Sequence, residues 1–85
     1  GNPFGKGICA AMSNIVTCDD TSKSLSLEET SVISSMAATD SAIWLVISNE
    51  IYTWNGGEKP TKITDITGIP RDVAVFDSGL VAVAT

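Results

Sequence analysis

The strongest constraint in this chain is the shortness of its apolar runs. None exceeds six residues, and most stop at turn-forming clusters such as Asp40-Ser41, Ser48-Asn49, Asn55-Gly56-Gly57 and Asp77-Ser78-Gly79. Runs of four to six apolar residues bounded by such clusters fit strands, whereas a helix needs apolar positions every three to four residues over ten or more. Ala42 to Ile47 is continuously apolar, as expected of a strand covered on both faces, and Glu50 to Trp54 follows it after a two-residue turn. Lys62 to Ile66, Val73 to Phe76 and Leu80 to Thr85 continue the series. Ile8 to Met12, Ile15 to Asp19 and Lys23 to Leu27 precede it. The best helical candidate, Leu25 to Met36, is rich in Ser, Thr, Val and Ile, which favour extended or capping positions. About nine short strands in an all-β, antiparallel meander are predicted.

The segments match one another in two registers. Met36 to Val46 aligns on Val73 to Val83 at an offset of 37 residues. Ile8 to Asn14 aligns on Ile43 to Asn49 at an offset of 35, and after one inserted residue Ile15 to Cys18 meets Ile51 to Trp54. The implied unit of about 36 residues reads strand, Asp-Ser turn, strand, Ser-Asn turn, strand, Gly-rich loop, strand. Asp72-Val73-Ala74-Val75 stands for its innermost strand and Ala42-Ile43-Trp44-Leu45-Val46 for the second. Glu50-Ile51-Tyr52-Thr53-Trp54-Asn55-Gly56-Gly57 stands for the third, and Pro60-Thr61-Lys62-Ile63-Thr64 for the outermost. This unit resembles a β-propeller blade of the short kind found in NHL-like, YncE-like and two-component-regulator propellers. A non-repetitive β-sandwich or small barrel is the alternative fold.

That resemblance implies an N-terminal lead-in over 1–7, a partial blade over 8–35, a full four-stranded blade over 36–68 and the start of a third over 69–85. About two blades cannot close a ring and leave apolar faces in water. The chain is therefore expected to need other protein chains, in a homo-oligomer or a larger assembly such as a phage head or tail, where it would be an accessory protein. It is also similar in blade number to small lectins that place two blades on each chain and trimerise. This second likeness implies a carbohydrate partner and a site drawn from Trp44, Glu50, Tyr52, Trp54 and Arg71, with aromatics stacking on sugar and Glu50 or Arg71 holding hydroxyls.

Composition narrows the chemistry. The 85 residues hold 5 Lys and Arg, 10 Asp and Glu and no His, for a net charge of −5. Histidine-dependent hydrolysis and His-ligated metal are excluded, and a pI of about 4.2 argues against tracking a phosphate backbone, so no nucleic-acid partner is expected. Apolar residues make up 44% and charged ones only 18%, with 10 Ser and 9 Thr filling polar positions, a surface suited to burial against neighbours. No run approaches the roughly 20 residues of a membrane span, and no basic segment followed by an apolar stretch of the secretory kind is visible. No membrane partner follows, and the compartment stays open.

A Ser13-Asn14 hairpin turn would place Cys9 opposite Cys18 on a non-hydrogen-bonded pair, where Cα atoms approach to about 4.5 Å. The pair can then be a disulfide or two small buried thiols, and without a visible secretory leader the thiols are the expectation. The aligned positions in the next unit are Trp44 and Trp54, expected to face each other likewise. Two thiolates lack the further ligands of a zinc site, so no metal is expected. Asp19-Asp20 and Glu28-Glu29 are adjacent carboxylates whose side chains would diverge in a strand, poor geometry for paired acid chemistry. Asp40 and Asp77 recur before second strands, where Asp side chains support turns. Gly5-Lys6-Gly7 lacks the rest of a phosphate loop. No catalytic residue and no cofactor are therefore expected, and the chain reads as non-enzymatic.

Overall fold

A computed structural model of the chain describes residues 3–4, 8–19, 23–64, 67–75 and 81–85. Among these there are nine strands and no helix, so the Leu25 to Met36 segment holds strand, not helix. Three antiparallel sheets follow one another along the chain. The N-terminal sheet has the order β1 (Cys9–Met12), β2 (Ile15–Cys18), β3 (Ser24–Ser26). The middle sheet runs β4 (Ile33–Ala38), β5 (Ile43–Ile47), β6 (Glu50–Trp54), β7 (Thr61–Lys62). The C-terminal sheet pairs β8 (Asp72–Val75) with β9 (Val81–Ala84). The expected strand at Lys62 to Ile66 is paired over Thr61 and Lys62, with Ile63 N–H adding a bond to Ile51 O at 2.9 Å; residues 65–66 lie outside the described ones. The boundary drawn at residue 36 falls inside β4, which starts at Ile33.

Turn chemistry sets the registers. Ser48 and Asn49 both have positive φ (52° and 62°), giving the two-residue turn whose twist matches that of the strands, and Ile47 pairs with Glu50 across it. Ser13, at φ 56°, starts the corresponding β1–β2 turn, and Met12 pairs with Ile15. Asn14 is drawn inward: its Nδ2 donates to Leu27 O at 2.6 Å and its carbonyl accepts from Leu27 N–H at 2.9 Å. Before β5 the turn is closed by Thr39. Its hydroxyl donates to Ala42 O and accepts from the N–H groups of Ser41 and Ala42, all within 3.2 Å. Thr39 thus closes this turn beside Asp40; Asp77 lies outside the described residues.

The ladders revise both sequence alignments. Counted from the turns, Ile15 corresponds to Glu50 and Cys18 to Thr53, so the offset stays at 35 and no residue is inserted. Consequently Trp44 pairs with Thr53, and Trp54 with Ile43. The two tryptophans do not face each other; they lie on opposite faces of the middle sheet, because one residue of slip in a strand reverses every side chain. Across β8–β9, Val73 pairs with Val83, whereas Met36 pairs with Leu45. Val83 therefore corresponds to Leu45, not Val46, and one extra residue sits between these strands.

The sheets stack face to face. The middle sheet turns Ile43, Leu45, Ile47 and Trp54 toward the N-terminal sheet, where they bury against Val16, Cys18 and Leu25. Its other face turns Val46 and Ile51, flanked by Trp44 and Ala37, toward Val73, Val81 and Val83 of the C-terminal sheet. Full burial of each Ile or Leu stabilises by about 1.5–3 kcal/mol, so β5 alone anchors both junctions. The Cα envelope measures 35 × 34 × 18 Å. β4 packs against β1, and β8 packs against β4 and β5. Ser35 ties the second of these: its hydroxyl donates to Asp72 Oδ1 at 2.5 Å and accepts from Val73 N–H at 3.2 Å.

Cys9 and Cys18 are opposite each other, with Cα atoms 4.0 Å apart, and they are bonded as a disulfide in place of the two thiols expected. The bridge closes the β1–β2 hairpin at its open end, beside Val16 and Leu25. From the small loop it closes, Cys9→Ala/Cys18→Ala is expected to cost about 2–3 kcal/mol, read as a lower urea midpoint. An unchanged midpoint would show that side-chain packing alone holds the hairpin. Thr39→Val, which keeps the shape but removes the hydroxyl, is expected to cost about 1–2 kcal/mol in the same assay.

Candidate functional site

Of the residues singled out from the sequence, Trp44, Glu50, Tyr52 and Trp54 lie on the β5–β6 hairpin, on its two faces, and Arg71 lies before β8. Trp54 is buried under the N-terminal sheet. Its indole N–H donates to Gly57 O at 2.7 Å, and Phe4 stacks edge-on at 5.2 Å between ring centres. Gly56 lies beneath Phe4 at φ 105°; a Cβ there would come within 3.1 Å of the ring. Phe4 is thus docked on Trp54, a contact not foreseen from the sequence, although it is the one aromatic before residue 44. Trp44 is half-buried on the opposite face, against the C-terminal sheet. Arg71 is exposed just before β8, its backbone N–H bonded to Ala84 O at 2.8 Å.

Glu50, Tyr52 and Lys62 do come together. The β5–β6–β7 register places Tyr52 beside Lys62 and two residues from Glu50, all on the face turned toward the N-terminal sheet. Lys62 forms an ion pair with Glu50, and Tyr52 donates its hydroxyl to Glu50 Oε1 at 3.4 Å. The hydrogen bond from Lys62 holds the Glu50 carboxyl below its ordinary 4.5, and the same bond raises the Lys62 ammonium above 10.5. Both groups are solvent-exposed, so this pair orders an edge more than it stabilises the fold. Beside it opens a cleft of about 230 Å³ lined by Asn49, Glu50, Lys62, Thr64 and Pro70. A shallow groove of about 380 Å³ runs between Leu27, Glu28 and Ser31 on one side and Tyr52, Glu58 and Pro60 on the other. Among the described residues no three His, Cys, Asp or Glu are grouped to hold a metal ion.

The most unusual surface lies elsewhere, on the outer face of the N-terminal sheet. Ile8 is 71%, Met12 80% and Ile15 40% exposed, with exposed Ala10 between them. Their corresponding residues in the middle sheet are Ile43, Ile47, Glu50 and, for Ala10, Leu45. Of these, Ile43 and Leu45 are fully buried and Ile47 is 5% exposed. The signal was legible as the alternation Ile8-x-Ala10-x-Met12. At the other end of the stack the C-terminal sheet presents Ala74, Ala82 and Ala84, all exposed, while the Asp72 carboxylate accepts from Ser35 of the middle sheet.

Compared with known protein families, curated proteins and solved structures, the chain matches none.

Glu50→Gln removes a pair whose two pKa shifts have opposite signs. The lowered Glu50 value makes its contribution present above about pH 4.5 and lost as pH falls below that. The raised Lys62 value makes its contribution present below about pH 10.5 and lost above. The stability difference between wild type and Glu50→Gln is therefore expected to be largest at neutral pH and to shrink at both extremes, as followed by thermal melts. A pH-independent difference would assign the effect of the substitution to packing.

Proposed function

We propose that the chain is a non-enzymatic structural module built of blade-like repeats, a partial β-propeller completed by other protein chains. The observation that carries this reading is the outer face of the N-terminal sheet: it leaves in water the positions that the middle sheet buries as Ile43, Leu45 and Ile47. A contiguous apolar face of this kind marks an interaction surface. Two junctions at which corresponding strands meet further support a repeating stack, to which another sheet can be added. Such a module serves by joining, as a self-associating unit or as a small component of a larger particle. A carbohydrate-binding role has less support. Trp54 is enclosed and Trp44 packs between sheets, leaving Tyr52 as the aromatic beside an open groove.

Sedimentation velocity across the micromolar range tests the reading. Wild type is expected to gain mass with concentration, while Met12→Glu, which places a charge on the apolar face, stays at 8.9 kDa. Wild type that remains at the monomer mass throughout would overturn it.

A further inference from the structure

The two ends of the stack are complementary in shape and continue the junctions inside the chain. At the junction of the N-terminal and middle sheets, a face made of the Cys9–Cys18 disulfide and Val16, with Leu25 beside them, receives the large side chains Ile43, Leu45 and Ile47. The open C-terminal sheet face is of the first kind. Its residues Ala74, Ala82 and Ala84 line a depression of about 220 Å³ with Asp72 at its rim. By the ladder registers they correspond to Ala37, Trp44 and Val46, which the middle sheet turns toward the sheet that follows it. The open N-terminal face is of the second kind: Ile8, Met12 and Ile15 stand proud where Ile43 and Ile47 are sheathed. Small positions facing large ones is the arrangement that packs sheets to interior density.

Resting on the reading above, we propose that the partner is a second copy of this chain, bound head to tail. The Ala74–Ala82–Ala84 depression of one copy takes Ile8, Met12 and Ile15 of the next. The step from one copy to the next is then the step from sheet to sheet within a copy, and the two surfaces joined are different. Such a heterologous contact closes into a ring or runs on as a filament, and it cannot stop at a symmetric dimer.

Complementation between two blocked variants tests this. Met12→Glu spoils the projecting face and leaves the depression intact; Ala82→Glu does the reverse. Each variant alone is expected to remain monomeric. Their equimolar mixture is expected to form a dimer of twice the monomer mass and nothing larger, because one good surface of each kind remains. Met12→Ser and Ala82→Gln, carried in parallel with far-UV circular dichroism, give the same contrast if a glutamate perturbs the fold. Failure of wild type to associate at all would sink the preceding reading. Association of wild type with undiminished self-association of Ala82→Glu, or with no dimer in the mixture, would sink the head-to-tail pairing alone and point to a symmetric contact or a different partner.

Discussion

Everything in this fold depends on one strand having no polar side. In Ile43-Trp44-Leu45-Val46-Ile47 both alternating sets of side chains are apolar, so the middle sheet must be covered on both faces. The chain supplies those covers from its two ends, three strands on one side and two on the other. Hydrophobic burial at these two junctions is the main stabilising term, and the hydrogen bonds of Thr39, Asn14 and Ser35 act by fixing how the covering sheets arrive.

The same requirement, met in the middle, is left open at the ends. A sheet that buries one face against its neighbour presents the other to water, and here Ile8, Met12 and Ile15 at one end and Ala74, Ala82 and Ala84 at the other are left exposed beside Thr17, Ser24 and Ser26. In an acidic chain with few charged residues this is the feature with the plainest physical cost. It is why the functional reading rests on surfaces between sheets more than on the Glu50–Tyr52–Lys62 edge, whose exposed ion pair is weakly coupled to the rest.

Much of the architecture was legible because strand signals are local. Run lengths, turn clusters and the Ser-Asn turns placed every strand but β4, which entered only through the alignment of Met36 on Val73, and a two-residue turn at Ser13-Asn14 was enough to set Cys9 against Cys18. What failed was register between distant segments. Matching Ile15 to Ile51 preserved residue type at the expense of one inserted position, and in a strand that single step set Trp44 and Trp54 on one face where the ladder puts them on two. Likeness of side chains cannot decide register when both faces of a strand are apolar; only the turn geometry and the ladder can.

The candidate site divides along the same line. Glu50, Tyr52 and Lys62 follow from alternation along β6 and its pairing with β7. Phe4 on Trp54 and Ser35 on Asp72 join residues far apart in sequence, where local periodicity says nothing of the partner. By itself the sequence determined an all-β chain of short strands, a continuously apolar β5 and an acidic balance, because these depend on composition and on neighbours within a few residues. The tertiary structure alone decided that Cys9 and Cys18 are bonded, which faces are sheathed and which are left to water. Those outcomes depend on how whole sheets stack, and stacking is a property of surfaces that no single segment contains.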